Sequence, residues 1–334
     1  LSGTKSSQRH SNPSKAFHKM TIALLIIGAT GKQGGAVVDA LVAQDADVEI
    51  LAVTRNAQSP SAQKLAQKSD KVKLVQGDLN NPAGIFENAK KASSLPVWGV
   101  FSLQVKLTEG GRNKQSPFAK GESLESEERQ GKALIDEATK QRVQHFVQTS
   151  VDRGGDASTD NPTNVPHFVT KYNIEQYLFE KTKDGSMDWT VLRPVFFFDN
   201  LTPDFIGKVT FTAWDAYIQG KPLQCIATSD IGIIAAQVLL QHDRFKNQCL
   251  SLAGDELTFE QMAKKFKTQT GHSVPTTFRF VAYFIMMMAK DLRLMFKWFH
   301  NQGYGADIKQ IKQIHPGLKD FDTWLKDESQ FLKH

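Results

Sequence analysis

The sequence predicts an α/β protein: a doubly wound parallel sheet with helices on both faces, followed by a small C-terminal α+β lobe. Three observations predict it. Short apolar, β-branched runs alternate with stretches of helical period from Thr21 to Val195. The first run feeds through a glycine turn straight into an apolar-periodic helix. A chain of 334 residues with 40% hydrophobic and 23% charged content is long and apolar enough for a large core in water.

The first element is Thr21 to Gly35, TIALLIIGATGKQGG. Ile22 to Ile27 reads as a strand buried on both faces. Gly28, Gly31 and Gly34 then stand three apart, and GAVVDALVAQ continues as a helix. This is the form of a dinucleotide pyrophosphate site. Gly28 permits the tight turn, Gly31 lets the backbone approach the phosphates, Gly34 lets helix and strand pack closely, and the first-turn amides face the anion. Thr30, Lys32 and Gln33 belong to the same turn. The spacing is GxxGxxG, so the dehydrogenase fingerprint GxGxxG is not met as written.

Val48 to Thr54 is the second strand, with Arg55 directly after it. An NAD site carries a carboxylate there for the ribose 2′-hydroxyl, and this chain has Thr54 and Arg55 instead. A guanidinium accommodates a 2′-phosphate and Lys32 adds a second positive charge, so NADP(H) is preferred over NAD(H). The alternative is an Arg55 that is simply solvated. Lys71 to Gln76 is the third strand and ends in Gly77-Asp78-Leu79, where Asp78 either accepts from an adenine amino group or caps the next helix. Val97 to Leu103 is the fourth, with Phe101 to Gln104, including Ser102, opening on the nicotinamide side. Thr108 to Gly121 reads as a polar loop, either surface or a lid over the cofactor.

Glu122 to Arg142 is a long helix and His145 to Ser150 a fifth strand ending in two hydroxyls. Phe168 to Lys183 is helical, and Asp188 to Val195 forms a sixth strand that brings Pro194 to the ligand end. Six strands complete the sheet. Phe196 to Asn200 then leads out at the carboxyl end, where open α/β sheets bind ligands. Ser229-Asp230 caps the helix IGIIAAQVLLQ, and Cys249 to Leu252 is short enough to return as a strand. Thr258 to Gln261 has capping-box form, and Gly271 ends the helix after it. Val281 to His300 is apolar nearly all round. Its Met286, Met287, Met288 and Met295 read as irregular core filling, with a partner-binding face as the alternative. The expected division is a disordered tail or leader over 1–20, a cofactor-binding core over 21–195 and a substrate- or partner-side lobe over 196–334.

The net charge of +6 does not make the folded body basic. Leu1 to Met20 contributes Lys5, Arg9, Lys15 and Lys19 with no acid, which leaves about +2 for the rest. Direct nucleic-acid binding is therefore not expected. Cys225 and Cys249 are too few for a disulfide framework or a cysteine metal site, and no metal is expected. No run is long enough to span a bilayer, and Phe280 to Ala289 is only ten residues. The expected setting is cytoplasmic, with a nuclear share.

These segments also carry a resemblance. GATGKQGG, VTRN, QGDL, QGKALIDEATKQRVQHFV and the C-terminal NQGYGADI and IHPGLKDFDTWLKD resemble the NmrA-like family, atypical relatives of the short-chain dehydrogenase/reductases, over about residues 20 to 328. The resemblance implies a Rossmann-type NAD(P)-binding core with a C-terminal lobe. It implies either a redox-responsive regulator that reads NADPH through protein partners, or an NAD(P)H-dependent reductase.

Standard members of the wider group use a tyrosine acid, a lysine four residues on and a serine at the end of the fifth strand. Here His167-Phe-Val-Thr-Lys171 stands where that pair is expected, with His167 in the tyrosine position, and Ser150 remains. Tyr177 and Lys181 repeat the spacing but lie ten helical residues further on, on the order of 15 Å away, so Tyr177 reads as a packing aromatic. Lys171 is the favoured functional residue, holding ribose hydroxyls or serving as proton donor. His167 offers an imidazole acid, and Ser150 an oxyanion donor. The missing tyrosine puts an NADP(H)-binding redox sensor first. The alternative is an NADPH-dependent reductase of a small carbonyl, quinone or enone.

Overall fold

β1 (Ile22–Ile26) is apolar along its whole length because both of its faces are covered, and Ala23, Leu24, Leu25 and Ile26 are fully buried. The computed structural model describes residues 22–104 and 124–332. The readings of residues 1–20 and of Thr108 to Gly121 lie outside the described residues. After β1 the chain runs through α1 (Lys32–Ala43), β2 (Val48–Thr54), α2 (Pro60–Ala66), β3 (Val72–Gln76), α3 (Pro82–Ala92), β4 (Val97–Ser102), α4 (Leu124–Lys140), β5 (His145–Thr149), α5 (Pro166–Lys181) and β6 (Asp188–Pro194). The order across the sheet is β3-β2-β1-β4-β5-β6, every neighbouring pair parallel.

The sheet has seven strands rather than the six expected. Gln248–Leu252 returns from the C-terminal lobe and pairs in parallel with β6, Val191 opposite Cys249 and Leu192 opposite Leu250. Five residues of modest apolarity gave this strand little signal, and its place is decided by the exposed edge of β6.

The lobe contains β7 (Phe196–Phe197), α6 (Phe205–Ala213), β8 (Leu223–Ile226), α7 (Thr228–Leu240), α8 (His242–Phe245), β9 (Gln248–Leu252), β10 (Asp255–Leu257), α9 (Phe259–Thr270), α10 (Arg279–Met288), α11 (Lys290–Asn301), α12 (Ile308–Ile314) and α13 (Phe321–Asp327). A small second sheet, β10-β8-β7, sits beside the main one. Side chains on alternate positions of β1 go to opposite faces: Leu24 and Ile26 join a cluster with α1 and α7, Ala23 and Leu25 one with α3, α4 and α5. A third cluster, around Phe198, Trp214, Phe299, Phe321 and Trp324, is the core of the lobe.

α1 and α7 cross at backbone contact, since a Cβ on Gly232 would lie 2.4 Å from the Ala36 carbonyl carbon. Ser229-Asp230 is not the cap of α7. The helix starts at Thr228, whose backbone N–H and hydroxyl donate to Asp199 at 3.0 and 2.6 Å. Asp230 is fully buried and instead accepts from the Lys319 ammonium at 3.0 Å, with His315 Nε2 3.1 Å away. The HPGLK segment is thus an ionic tether for α7. The capping box at Thr258 and the left-handed Gly271 C-cap are as expected.

Val281 to His300 is two helices, not one, and core filling is only half right. Met286 is buried and Met295 partly so, but Met287 and Met288 are 58% and 69% exposed, together with Phe278, Phe280 and Phe284. An apolar run over a ten-residue helix can bury only the stripe that meets α6 and α11, and the remaining residues face outward.

Candidate functional site

The strand order reverses between β1 and β4, and a cavity of about 550 Å³ opens there at the carboxyl ends of the strands. Its first wall is the turn between β1 and α1. Gly28 adopts φ +66°, and a Cβ on Gly34 would lie 2.4 Å from the Gly28 carbonyl oxygen. Gly34 therefore packs beneath the turn, while Gly28, Thr30, Gly31, Lys32 and Gln33 line it. α1 has no side-chain cap and no acid in its first turn, so its leading amides are left for an anion.

The second wall carries Arg55, Asp78 and Leu79. Arg55 is exposed and its guanidinium has no hydrogen-bond or ion-pair partner among the described residues. Lys32 also reaches the cavity, but its ammonium donates to the Asp199 carbonyl at 2.9 Å and so bridges the turn to the lobe. Asp78 accepts from the Asn80 amide at 2.8 Å, while the cap of α3 is Asn81, whose side chain accepts from Gly84 at 3.1 Å. Asp78 is consequently an Asx turn at the wall, which leaves its outer oxygen for a ligand amino group.

The inner wall is polar and tightly connected. The Lys171 ammonium donates to the Gln104 carbonyl at 2.8 Å and is ion-paired with Glu127 Oε1 at 2.7 Å, with both charged side chains about a tenth exposed. An ammonium has three N–H donors, so one remains for the cavity. Gln104 Nε2 donates to Ser102 Oγ at 2.8 Å, and Gln148 Nε2 donates to Gln104 Oε1 at 2.9 Å. Ser102 is fully buried behind this wall rather than on it. Pro194 closes the end of β6.

Ser150 reaches the cavity, but its hydroxyl donates to Glu175. That carboxylate is fully buried between two guanidiniums, with Arg153 and Arg193 both 2.7 Å from Oε2. Burial opposes the Arg193 charge, yet the hydrogen bond and attraction of Glu175 hold its pKa above the usual value. A role for Ser150 as oxyanion donor would require its proton to leave Glu175. His167 lies on the outer rim, its Nδ1 2.8 Å from Asp291 at the start of α11. Tyr177 packs outside the cavity, its hydroxyl donating to Asp136 at 2.8 Å.

Sequence reasoning missed Glu127, which pairs with Lys171, and Gln130, Tyr304 and Phe168, which line the cavity. A signal existed for the first two. Glu127, Gln130 and Gly131 are buried on the face of α4 that meets α5, and polar residues on a buried stripe ask for partners. Tyr304 gave no local signal, because only the fold of the lobe carries it to the cavity.

A nicotinamide dinucleotide fits this donor set. Besides the glycine cradle, Gln33 Oε1 and Thr149 Oγ1 are buried at the wall with no hydrogen-bond partner among the described residues, as expected of atoms that a ligand satisfies. Among the described residues no group of three or more His, Cys, Asp or Glu is arranged to hold a metal, and no helix is long and apolar enough to cross a membrane.

Comparisons agree with the geometry. The NmrA-like family matches residues 20–325. An NmrA-like family domain-containing oxidoreductase of Aspergillus flavus, lnaB, is 27% identical over 332 residues, covering 89% of this chain and 91% of the relative. Among solved structures, the triphenylmethane reductase of Citrobacter sp. complexed with NADP(H) has a TM-score of 0.63 at 17% identity, covering 91% and 98% of the two chains. The negative transcriptional regulator NmrA in complex with NAD has a TM-score of 0.62 at 16% identity, covering 92% and 94%.

Proposed function

The chain belongs to the NmrA-like family, and from that premise we propose that it is an NADP(H)-dependent reductase of a small, apolar carbonyl, quinone or enone compound. The observation that carries this reading is Lys171, a charged donor held at the inner wall by Glu127 and the Gln104 carbonyl with one N–H to spare. The sequence put a redox sensor first because the catalytic tyrosine is missing. A lysine prepared in this way restores a proton source, and the curated relative described above is itself named an oxidoreductase.

In this reading Gly28 and Gly31 present backbone to the pyrophosphate, Arg55 meets the 2′-phosphate, and Asp78 with Leu79 borders the adenine. Bound NADPH supplies a hydride to the substrate carbon. Lys171 gives a proton to the atom left with the electron pair and is recharged from solvent, while Glu127 and Gln104 keep its ammonium aimed. Pro194 and the neighbouring Phe196 exclude water from the reacting face.

NADPH oxidation followed at 340 nm against a panel of quinones, enones and aldehydes tests the proposal. Lys171→Ala should lower turnover by about 10²–10⁴-fold, the range of general acid catalysis, with cofactor still bound. Wild-type turnover that survives this change intact would remove Lys171 from the mechanism.

A second reading, a redox sensor acting through a protein partner in the cytoplasm or nucleus, is favoured by one observation. The outward face of α10 presents Phe280, Phe284, Met287 and Met288 to solvent. If it is correct, NADPH and NADP should change capture of a partner by the full chain, and Phe284→Ser should abolish that capture.

A further inference from the structure

The QGYGAD segment between α11 and α12 has no regular structure, yet it is held on both sides of one residue. Gly305 N–H donates to the buried Asp152 at 2.9 Å, the carboxylate that also takes the Gly154 and Gly155 amides. A Cβ on Gly305 would lie 2.6 Å from the Gly154 carbonyl carbon, so only glycine allows this approach. One residue further on, Gln224 exchanges two hydrogen bonds with the Ala306 backbone at 2.9 and 3.0 Å. Gly303, on the other side, is left-handed at φ +76°.

Between these fixed points stands Tyr304. Its ring meets Trp298 edge-on at 5.4 Å and Phe299 at 5.1 Å, and the residue reaches the cavity wall near Phe168, Phe196 and Met295. Its hydroxyl makes no hydrogen bond among the described residues. The ring packing would be served equally by phenylalanine, and the residue is only half-buried where it lines the cavity, so its hydroxyl is free to meet a bound group. The hydroxyl therefore has no account in the packing and one in a ligand.

We propose that Tyr304 is the hydrogen-bond donor for the oxygen of a neutral, apolar carbonyl or quinone compound bound in this cavity, which rests on the reductase reading and names a contact for its substrate. Burial, with Asp152 adding to it, pushes the phenol pKa well above its ordinary value, so this hydroxyl holds an oxygen rather than surrendering its proton. The same carboxylate disfavours an anionic ligand at that end. The apolar side chains around it set the body of the ligand, and the hydroxyl sets its orientation.

The probe is 4-(dimethylamino)cinnamaldehyde, whose absorption moves to the red when its carbonyl accepts a hydrogen bond. It is titrated into the full chain loaded with NADP. The wild type should bind it with a red shift that stays constant from about pH 6 to about pH 9, because the phenol remains protonated throughout. Tyr304→Phe should lose the shift and bind about tenfold more weakly, the scale of one buried hydrogen bond. A shift that titrates in the wild type, a Phe variant that keeps both shift and affinity, or a wild type that binds no aldehyde overturns the proposal. Should Tyr304→Phe fail to fold, the same titration on Lys171→Ala decides: the red shift must persist if Tyr304 is the donor, and its loss overturns the proposal. A wild type that binds and shifts the aldehyde but oxidises NADPH against no acceptor sinks the reductase reading and leaves the Tyr304 site standing.

Discussion

In the proposed reading, Arg55 is the side chain that would choose between the two cofactors. It stands at the end of β2 on the cavity wall with no partner of its own among the described residues, while Lys32 is tied to the lobe through the Asp199 carbonyl. The proposed preference for a 2′-phosphate therefore rests mainly on Arg55. Arg55→Gln should weaken NADPH about 10–100-fold and NADH hardly at all, as read by quenching of protein fluorescence. Equal losses for both cofactors would remove the NADP preference. Glu175 makes a different residue-scale point. It is shared by two buried guanidiniums, and Glu175→Ala leaves both without their carboxylate. That change should cost about 3–5 kcal/mol in urea unfolding. The pair with Ser150 was invisible in sequence because Glu175 follows it by 25 residues on the next helix.

Elements here are placed by how closely their backbones approach. The glycine turn, the strand before it and the helix after it were all legible, because a buried β-branched run and glycines three apart have few other uses. The contact between α1 and α7 was not, since Gly232 sits in a helix whose apolar pattern looks complete without it. Gly232→Val would drive a side chain into Ala36 and part the two helices that cover one face of the sheet. A loss of about 2 kcal/mol or more is expected, with a lower thermal midpoint measured by circular dichroism. An unchanged midpoint would mean that α7 can slide without penalty. α10 shows the converse failure. Its sequence is as apolar as a core helix, yet among the described residues its outward Phe and Met side chains stay exposed.

At the scale of the whole molecule, acid sensitivity traces to the end of the sheet opposite the cavity. His145 is fully buried at the start of β5, edge-on to Trp98 and to His242, which is paired with Asp188. Thr190 donates its hydroxyl to the Phe245 carbonyl, so His145 Nε2 carries the hydrogen toward Thr190 and Nδ1 is left without a partner. Burial, aided by the nearby His242, pushes its pKa down to about 3. The unfolded chain binds the proton more readily, so stability is fully present above about pH 6.5 and is lost as the pH falls toward 3. Between pH 7 and pH 5 this one residue should remove about 2 kcal/mol, and His145→Gln should flatten that part of the profile in urea titrations. A variant with the wild-type slope would assign the effect elsewhere.

The sequence by itself determined the class of fold, the glycine turn before α1, the missing acid beside β2 and the place of Lys171 on the helix after β5. Each depends on residues a few places apart, where periodicity and turn chemistry act directly on the chain. Only the tertiary structure decided that Glu127 holds Lys171, that Ser150 faces Glu175, that a seventh strand closes β6 and that Tyr304 reaches the cavity. Those arrangements join segments up to 153 residues apart, as in the bond from Gly305 to Asp152. Their physical cause is that a buried charge or edge must find a partner, and which partner lies within reach is a property of the packed molecule rather than of any stretch of sequence.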